Sequence, residues 1–220
     1  MKRPLLTAVA VMCAATCVDA QWNVARFDSA GARAWLTGGL DPAVIASVGF
    51  AGVVRPNGHA VQLGVEGTLG GGTFDVGDYR LRILGTSSML QLGAFRLATS
   101  AAFVTRGTRN TVYRATNMGA DVGATVGHYR PRWFLAAEGG FDKAIVTHVA
   151  FTRTYREVHH PEARSGWYVD TGGNWRYGVM SGVTIGRTEF VVRAGIPRTE
   201  GNRSLVVPAY LTVGIGRRYP

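Results

Sequence analysis

Cysteine and lysine are nearly absent from this chain of 220 residues. The 2 cysteines, Cys13 and Cys17, both lie within the first twenty residues. A disulfide framework, a cysteine–zinc site and thiol catalysis are therefore excluded for the rest of the chain. Because Lys2 and Lys143 are the only lysines, the net charge of +10 comes almost entirely from arginine. These arginines do not cluster on one helical face, and we expect no nucleic-acid partner.

Long apolar runs are also scarce. The run from Leu5 to Thr16 has about twelve residues, fewer than the ~20 of a membrane-spanning helix. Two basic residues precede it and a small-residue cleavage site, Val18-Asp19-Ala20, follows it, which predicts a secretory signal peptide over residues 1–20. Neither cysteine follows the small residue that a lipoprotein acylation site requires. The remaining chain predicts an N-terminal extension, 21–33, and one domain, 34–220.

The hydropathy of the chain repeats with a period of two residues. Apolar residues alternate with polar or small ones through nine segments of about ten residues, which predicts strands with one apolar face. Short turns near residues 56, 93, 130 and 187 alternate with longer loops at 70–77, 107–117, 152–174 and 197–204. An even strand count requires a further strand, for which Ala34–Gly38 is the candidate. Ten strands are therefore favoured over eight.

The two faces of these strands differ in charge. The apolar face carries almost no charge, as a lipid-facing surface requires, whereas a soluble barrel would turn that face toward its core. The other face holds the charged candidates for the barrel interior: Glu66, Arg80, Arg82, Arg96, Asp121, Glu138, Asp142, Arg176 and Arg193. Buried charges must pair. A structural arginine–carboxylate network and the lining of a narrow pore both fit this set.

The last segment carries a second signature. Leu211, Val213 and Ile215 share one face of a terminal strand, and Tyr219 stands near its end. With the signal peptide, the strand periodicity and the alternation of turns and loops, this strand makes the chain resemble the small outer-membrane β-barrel proteins of the OmpA/OmpX type. Pro220, after the terminal aromatic residue, departs from that pattern.

The resemblance implies an all-β, closed, antiparallel, up-and-down transmembrane barrel in the outer membrane of a Gram-negative bacterium. It further implies a monomer without cofactor or metal. Its expected partners are outer-membrane lipids, lipopolysaccharide and the barrel-assembly machinery.

The function is less constrained than the fold. The histidines His148, His159 and His160 are candidates for a metal site or a hydrolytic site, but no catalytic motif accompanies them. The glycine cluster Gly70-Gly71-Gly72 lacks the lysine and the helix of a phosphate-binding loop. We therefore do not expect the protein to have enzymatic activity. A structural or surface-interaction barrel is favoured, with a narrow solute channel and a lipid-modifying enzyme as the alternatives.

Overall fold

The protein is a closed β-barrel, seen in a computed structural model that describes residues 22–29, 31–41, 43–70, 76–201, 203 and 207–220. The expected signal peptide lies outside these residues. Short helical turns cover Val24–Ser29, Pro56–Gly58 and Tyr155–His159. The strands are β1 (Ala32–Leu40), β2 (Val44–Val54), β3 (Val61–Gly70), β4 (Tyr79–Leu92), β5 (Phe95–Arg109), β6 (Tyr113–Arg130), β7 (Trp133–Phe151), β8 (Gly166–Ile185), β9 (Thr188–Thr199) and β10 (Tyr210–Tyr219).

The barrel closes between its first and last strands. Each strand pairs antiparallel with its neighbour in sequence, and β1 pairs with β10 from Ala32 opposite Tyr219 to Leu40 opposite Leu211. The ten-strand, up-and-down prediction is confirmed. The weakly patterned segment at 34–38 is part of β1, which begins at Ala32 rather than at residue 34.

Tight turns gather at one end, here called the turn end. The connections after β2, β4, β6 and β8 lie there, close to the predicted positions. Asn57, Gly93 and Gly186 have φ values of 51°, 63° and 60°, the left-handed conformation that asparagine and glycine tolerate best. The chain before β1 also lies there, because the Gly31 amide donates to the Tyr219 carbonyl at 3.2 Å. The opposite end is the loop end.

Two predicted loops are largely strand. The expected loop 107–117 shrinks to the residues between Arg109 and Tyr113, and the expected loop 152–174 ends where β8 begins at Gly166. Strands β6, β7 and β8 have 18, 19 and 20 residues, about twice the 9–11 that cross a bilayer. Their loop-end portions mix polar and apolar side chains, with Ile145, Trp167 and Val169 exposed, and the backbone ladder continues beyond the predicted strand ends.

The outward face of the barrel is apolar, and its interior holds buried charged side chains together with one main apolar cluster. Outward residues such as Val65, Ile83 and Val213 are 55%, 65% and 54% exposed. Inward residues such as Arg82 and Asp121 are 2% and 1% exposed. A soluble barrel places its apolar face in the core, so the observed polarity is the reverse of that arrangement.

Candidate functional site

The middle of the interior holds a four-residue ionic group. One oxygen of Asp121 accepts from Arg82 at 2.9 Å and the other accepts from Arg176 at 2.8 Å. Arg82 also reaches Glu66 at 3.4 Å. These residues come from β6, β4, β8 and β3, and their inward parity brings them together across the barrel. Asp121 thus bridges two buried cations in a low-dielectric interior, where buried charges require counter-charges.

A glycine makes room for one of these cations. A side chain at Gly140 would place its Cβ 2.7 Å from a terminal nitrogen of Arg176. Any larger residue at this inward position of β7 would displace the guanidinium from Asp121. Because arginine presents its donors in a fixed planar fork, such a displacement weakens its hydrogen bonding to the carboxylate.

A second ionic pair joins β7 to β9 and β10. Glu138 accepts from Nε and Nη2 of Arg193 at 3.0 and 2.8 Å, and its other oxygen accepts from the Tyr210 hydroxyl. Side chains at Gly178 or Gly195 would collide with the Tyr210 hydroxyl. These two glycines therefore create the space that the tyrosine fills between β8 and β9.

A third group lies nearer the loop end. Arg106 pairs with Asp142 at 2.5 Å and approaches the Asn117 amide oxygen. The Asn117 amide donates to Thr147 at 2.8 Å, and the Thr147 hydroxyl lies 2.7 Å from that of Thr171. This group links β5 through β8. The side chains of Tyr113, Ala115 and Val149 form an apolar cluster nearby.

The turn end is filled by the segment that precedes β1. Trp22, Val24 and Phe27 are almost fully buried in the main apolar cluster, with exposures of 1%, 1% and 2%. The backbone amide of Asn23 donates to Glu189, and its side-chain amide donates to the Arg130 carbonyl at 2.7 Å. We call residues 22–29 the N-terminal plug.

Two arginines hold the plug from the barrel wall. Arg33 pairs with Glu189 at 3.4 Å, and its guanidinium lies 5.3 Å from the centroid of the Trp22 ring. Arg96 donates to the Val24 carbonyl at 3.4 Å. In the same apolar cluster, Tyr129 and Phe134 stack with their ring centroids 5.3 Å apart. The interior at the turn end is thus mostly apolar with the Arg33–Glu189 pair inside it, and it becomes ionic toward the loop end.

The predicted charged residues all belong to interior-facing strand positions, and several of them form ion pairs with one another. Glu66, Arg82, Asp121 and Arg176 form the central group, while Glu138 with Arg193, and Asp142 with Arg106, lie in the other two. Arg80 donates to Thr68 at 3.4 Å, and Arg96 contacts the plug.

Sequence reasoning missed several interior residues. Glu189 lies on the inward parity of β9, so the alternating pattern could have found it. Arg106 shares the parity of Arg96 on β5 but was not included among the predicted interior charges. Arg33 was assigned to the extension, although it is two positions from inward-facing Trp35. The plug has no periodic signal and no charge pattern that would have placed it inside.

The two described histidine side chains of the predicted set, His148 and His160, contact different residues. His148 lies within β7, with its ring 4.8 Å from that of Trp167, whereas His160 contacts Glu162 at 2.9 Å in the connection after β7. A backbone hydrogen bond and this imidazole hold the pKa of Glu162 below its usual value. The side chain of His159 is outside the described part. Within that part, no three histidine, cysteine or carboxylate side chains group as metal ligands.

The outer surface carries aromatic side chains near both ends. At the turn end, His128 lies between Phe95 and Trp133, at centroid distances of 5.5 and 5.1 Å. Toward the loop end, Trp175 contacts Phe141 at 4.5 Å and stacks with Tyr177 at 6.3 Å.

Comparison of the chain with protein-family models and with curated proteins gave no match. Over the described residues, none of the helices has the length and apolar character to cross a bilayer.

Proposed function

We propose that this protein is an outer-membrane β-barrel whose filled interior serves structure and whose loop end serves surface interaction. The observation that carries the proposal is the reversed polarity of the barrel. Unsatisfied backbone groups are too costly in hydrocarbon, and ring closure between β1 and β10 pairs the edge of every strand where it crosses the bilayer.

The aromatic side chains support a membrane position. Trp133 and Phe141 lie on β7 in the turn-end and loop-end aromatic clusters, about 26 Å apart along a strand that rises ~3.3 Å per residue. At a strand tilt of ~40°, this corresponds to a height of about 20 Å, close to the ~25 Å apolar band of membrane barrels.

A cluster of charged side chains supports a loop-end boundary of the apolar band just beyond Phe141. Lys143, which follows Phe141 and is partly exposed, contacts Asp170 and Glu200 at 2.7 Å each. An outward ion cluster of this kind belongs at the headgroup level rather than in hydrocarbon. The portions of β6 to β8 beyond it would then stand outside the membrane.

The filled interior favours a structural role over a channel. The plug and the ionic groups occupy successive levels of the barrel, and Arg82, Asp121 and Trp22 are each no more than 2% exposed. A solute path would require the plug and at least one ionic group to move. The channel alternative therefore predicts a steady conductance, whereas the structural role predicts none.

The proposal is tested by refolding the protein from urea into phosphatidylcholine vesicles. Folded membrane barrels resist detergent and migrate faster on gels before heating than after, so we expect two bands that interconvert with heat. Planar-bilayer recording should then show no steady conductance. A monomer that stays folded in water without detergent or lipid would contradict the membrane position, and an open conductance would contradict the closed interior.

A further inference from the structure

The turn end carries a ring of exposed arginines. The arginines come from the connection after β2, the β6–β7 turn, the β8–β9 turn and the last residues of β10. All of these arginine side chains are exposed. We call them the arginine rim: Arg55, Arg130, Arg132, Arg187 and Arg217.

The acidic side chains are distributed differently. Among the described side chains, the carboxylate at the turn end is Glu189, which is fully buried and paired with Arg33. The exposed carboxylate side chains of the described part belong to the loop end, and they are Asp78, Glu157, Glu162, Asp170 and Glu200. The loop end also carries exposed arginines, among them Arg153, Arg156 and Arg164, which offset its carboxylates, whereas the exposed charged side chains described at the turn end are cationic.

The rim is continuous with the aromatic side chains of the turn end. Arg130 and Arg132 flank the turn that leads into Trp133, and Arg217 precedes Tyr219 by two residues. Trp133, Tyr219 and Phe95 are 46%, 45% and 60% exposed. Aromatic side chains of this kind lie at the headgroup level of a bilayer, and the adjacent guanidiniums are at the height of lipid phosphates.

We propose that the arginine rim binds the headgroup phosphates of anionic phospholipids in the membrane leaflet at the turn end. This inference rests on the proposed membrane position. Arginine suits this partner because its planar fork donates two parallel hydrogen bonds to a phosphate and is weakly hydrated. The rim would thereby help to fix which end of the barrel faces the leaflet that holds glycerophospholipids.

The test uses the protein folded in phosphatidylcholine vesicles that contain a trace of spin-labelled phosphatidylglycerol or spin-labelled phosphatidylcholine. The immobilised fraction of each label gives its relative association constant at the barrel surface. We expect phosphatidylglycerol to be preferred at least about twofold at low ionic strength, and the preference to fall in 1 M salt, because ions screen exposed charges.

Two triple variants with equal change of charge separate the rim from net charge. Arg130→Gln, Arg132→Gln and Arg187→Gln together should abolish the preference. Arg153→Gln, Arg156→Gln and Arg164→Gln, at exposed positions of the loop end, should leave it intact. Heat-dependent gel mobility confirms that each variant is folded. If the first variant does not fold, Arg187→Gln alone should reduce the preference.

Three outcomes would overturn the inference: no preference in the unmodified protein, equal loss in both triple variants, or a preference that survives high salt. In each case the protein would still be folded in vesicles, so the proposed membrane position would stand. A protein that does not insert into vesicles would instead contradict the proposed function itself.

Discussion

At the scale of single residues, the interior is organised by carboxylates that each serve more than one partner. Asp121 uses both of its oxygens for arginines from different strands, and Glu138 serves Arg193 and Tyr210. Removing such a carboxylate takes one counter-charge away from buried cations. The free energy of unfolding lost in this way exceeds the net contribution of the intact ion pair, because the remaining charge stays buried and cannot be hydrated.

Asp121→Asn should therefore lower the free energy of unfolding by about 3–5 kcal/mol. The matched control is Glu200→Gln, which also converts a paired carboxylate to an amide but at a half-exposed position. It should cost no more than about 1 kcal/mol. Both values can be measured by guanidinium titration of vesicle-folded protein, followed by tryptophan fluorescence. Equal costs for the two changes would contradict the bridging role of Asp121.

The sequence predicts which residues face inward but not which of them pair. Parity is a local property, and the strand period places Glu66 and Arg82 on the interior face without reference to the rest of the chain. Pairing depends on the register and tilt of strands that are far apart in sequence. The contact between Asp121 and Arg176 follows from the closed barrel, in which β6 and β8 both present side chains to one narrow interior.

At the scale of elements, the terminal strand β10 offers the sharpest test of orientation. Val213 faces outward and is 54% exposed, whereas the adjacent Thr212 faces inward and is 1% exposed. Val213→Arg should cost about 2–4 kcal/mol if that position lies near the middle of the bilayer. Thr212→Ser should cost far less. Folding yield in vesicles, read from heat-dependent gel mobility, compares them, and similar yields would argue against a lipid-facing β10.

The remaining residues of the terminal-strand prediction behave as one face. Leu211, Ile215 and Tyr219 are exposed on the outside of β10, as is Val213. The structure gives their orientation, while their role as an assembly signal stays a prediction.

The N-terminal plug can be tested by cysteine labelling, since Cys13 and Cys17 precede the described residues. In protein beginning at residue 21, Val24→Cys should resist a membrane-impermeant maleimide in folded vesicle samples and react in urea. Asn57→Cys, at an exposed turn of the same end, should react in both states when the reagent has access to that end. Equal labelling of the two folded variants would show that the plug is not held inside.

Two elements escaped sequence reasoning for different physical reasons. The loop-end portions of β5 to β8 carry charged residues among their exposed positions, such as Arg109, Arg114 and Asp170, so the alternation of apolar and polar residues weakens there. Their strands continue because the backbone ladder with neighbouring strands continues. The plug is a single short helical segment, and its burial depends on a cavity that only the assembled barrel provides.

At the scale of the whole molecule, the turn and loop ends predict topology. If the turn end faces the periplasm, protease added to intact cells should cut the connection between β7 and β8, after exposed residues such as Arg153, Arg156 or Arg164. The strands and the turn after β6 should survive. Cleavage at Arg132 in intact cells, or protection of the β7–β8 connection until the membrane is broken, would reverse the orientation.

The position of the plug also dictates an order of events during assembly. The Trp22 ring lies against β10, since a Cβ at Gly216 would stand 2.8 Å from it, and Ala32 pairs with Tyr219. The N-terminal plug can therefore make all of its contacts only after β10 has joined the barrel. We expect sealing and ring closure to occur together, late and cooperatively, so that no long-lived assembly state combines a finished wall with an unblocked passage across the membrane.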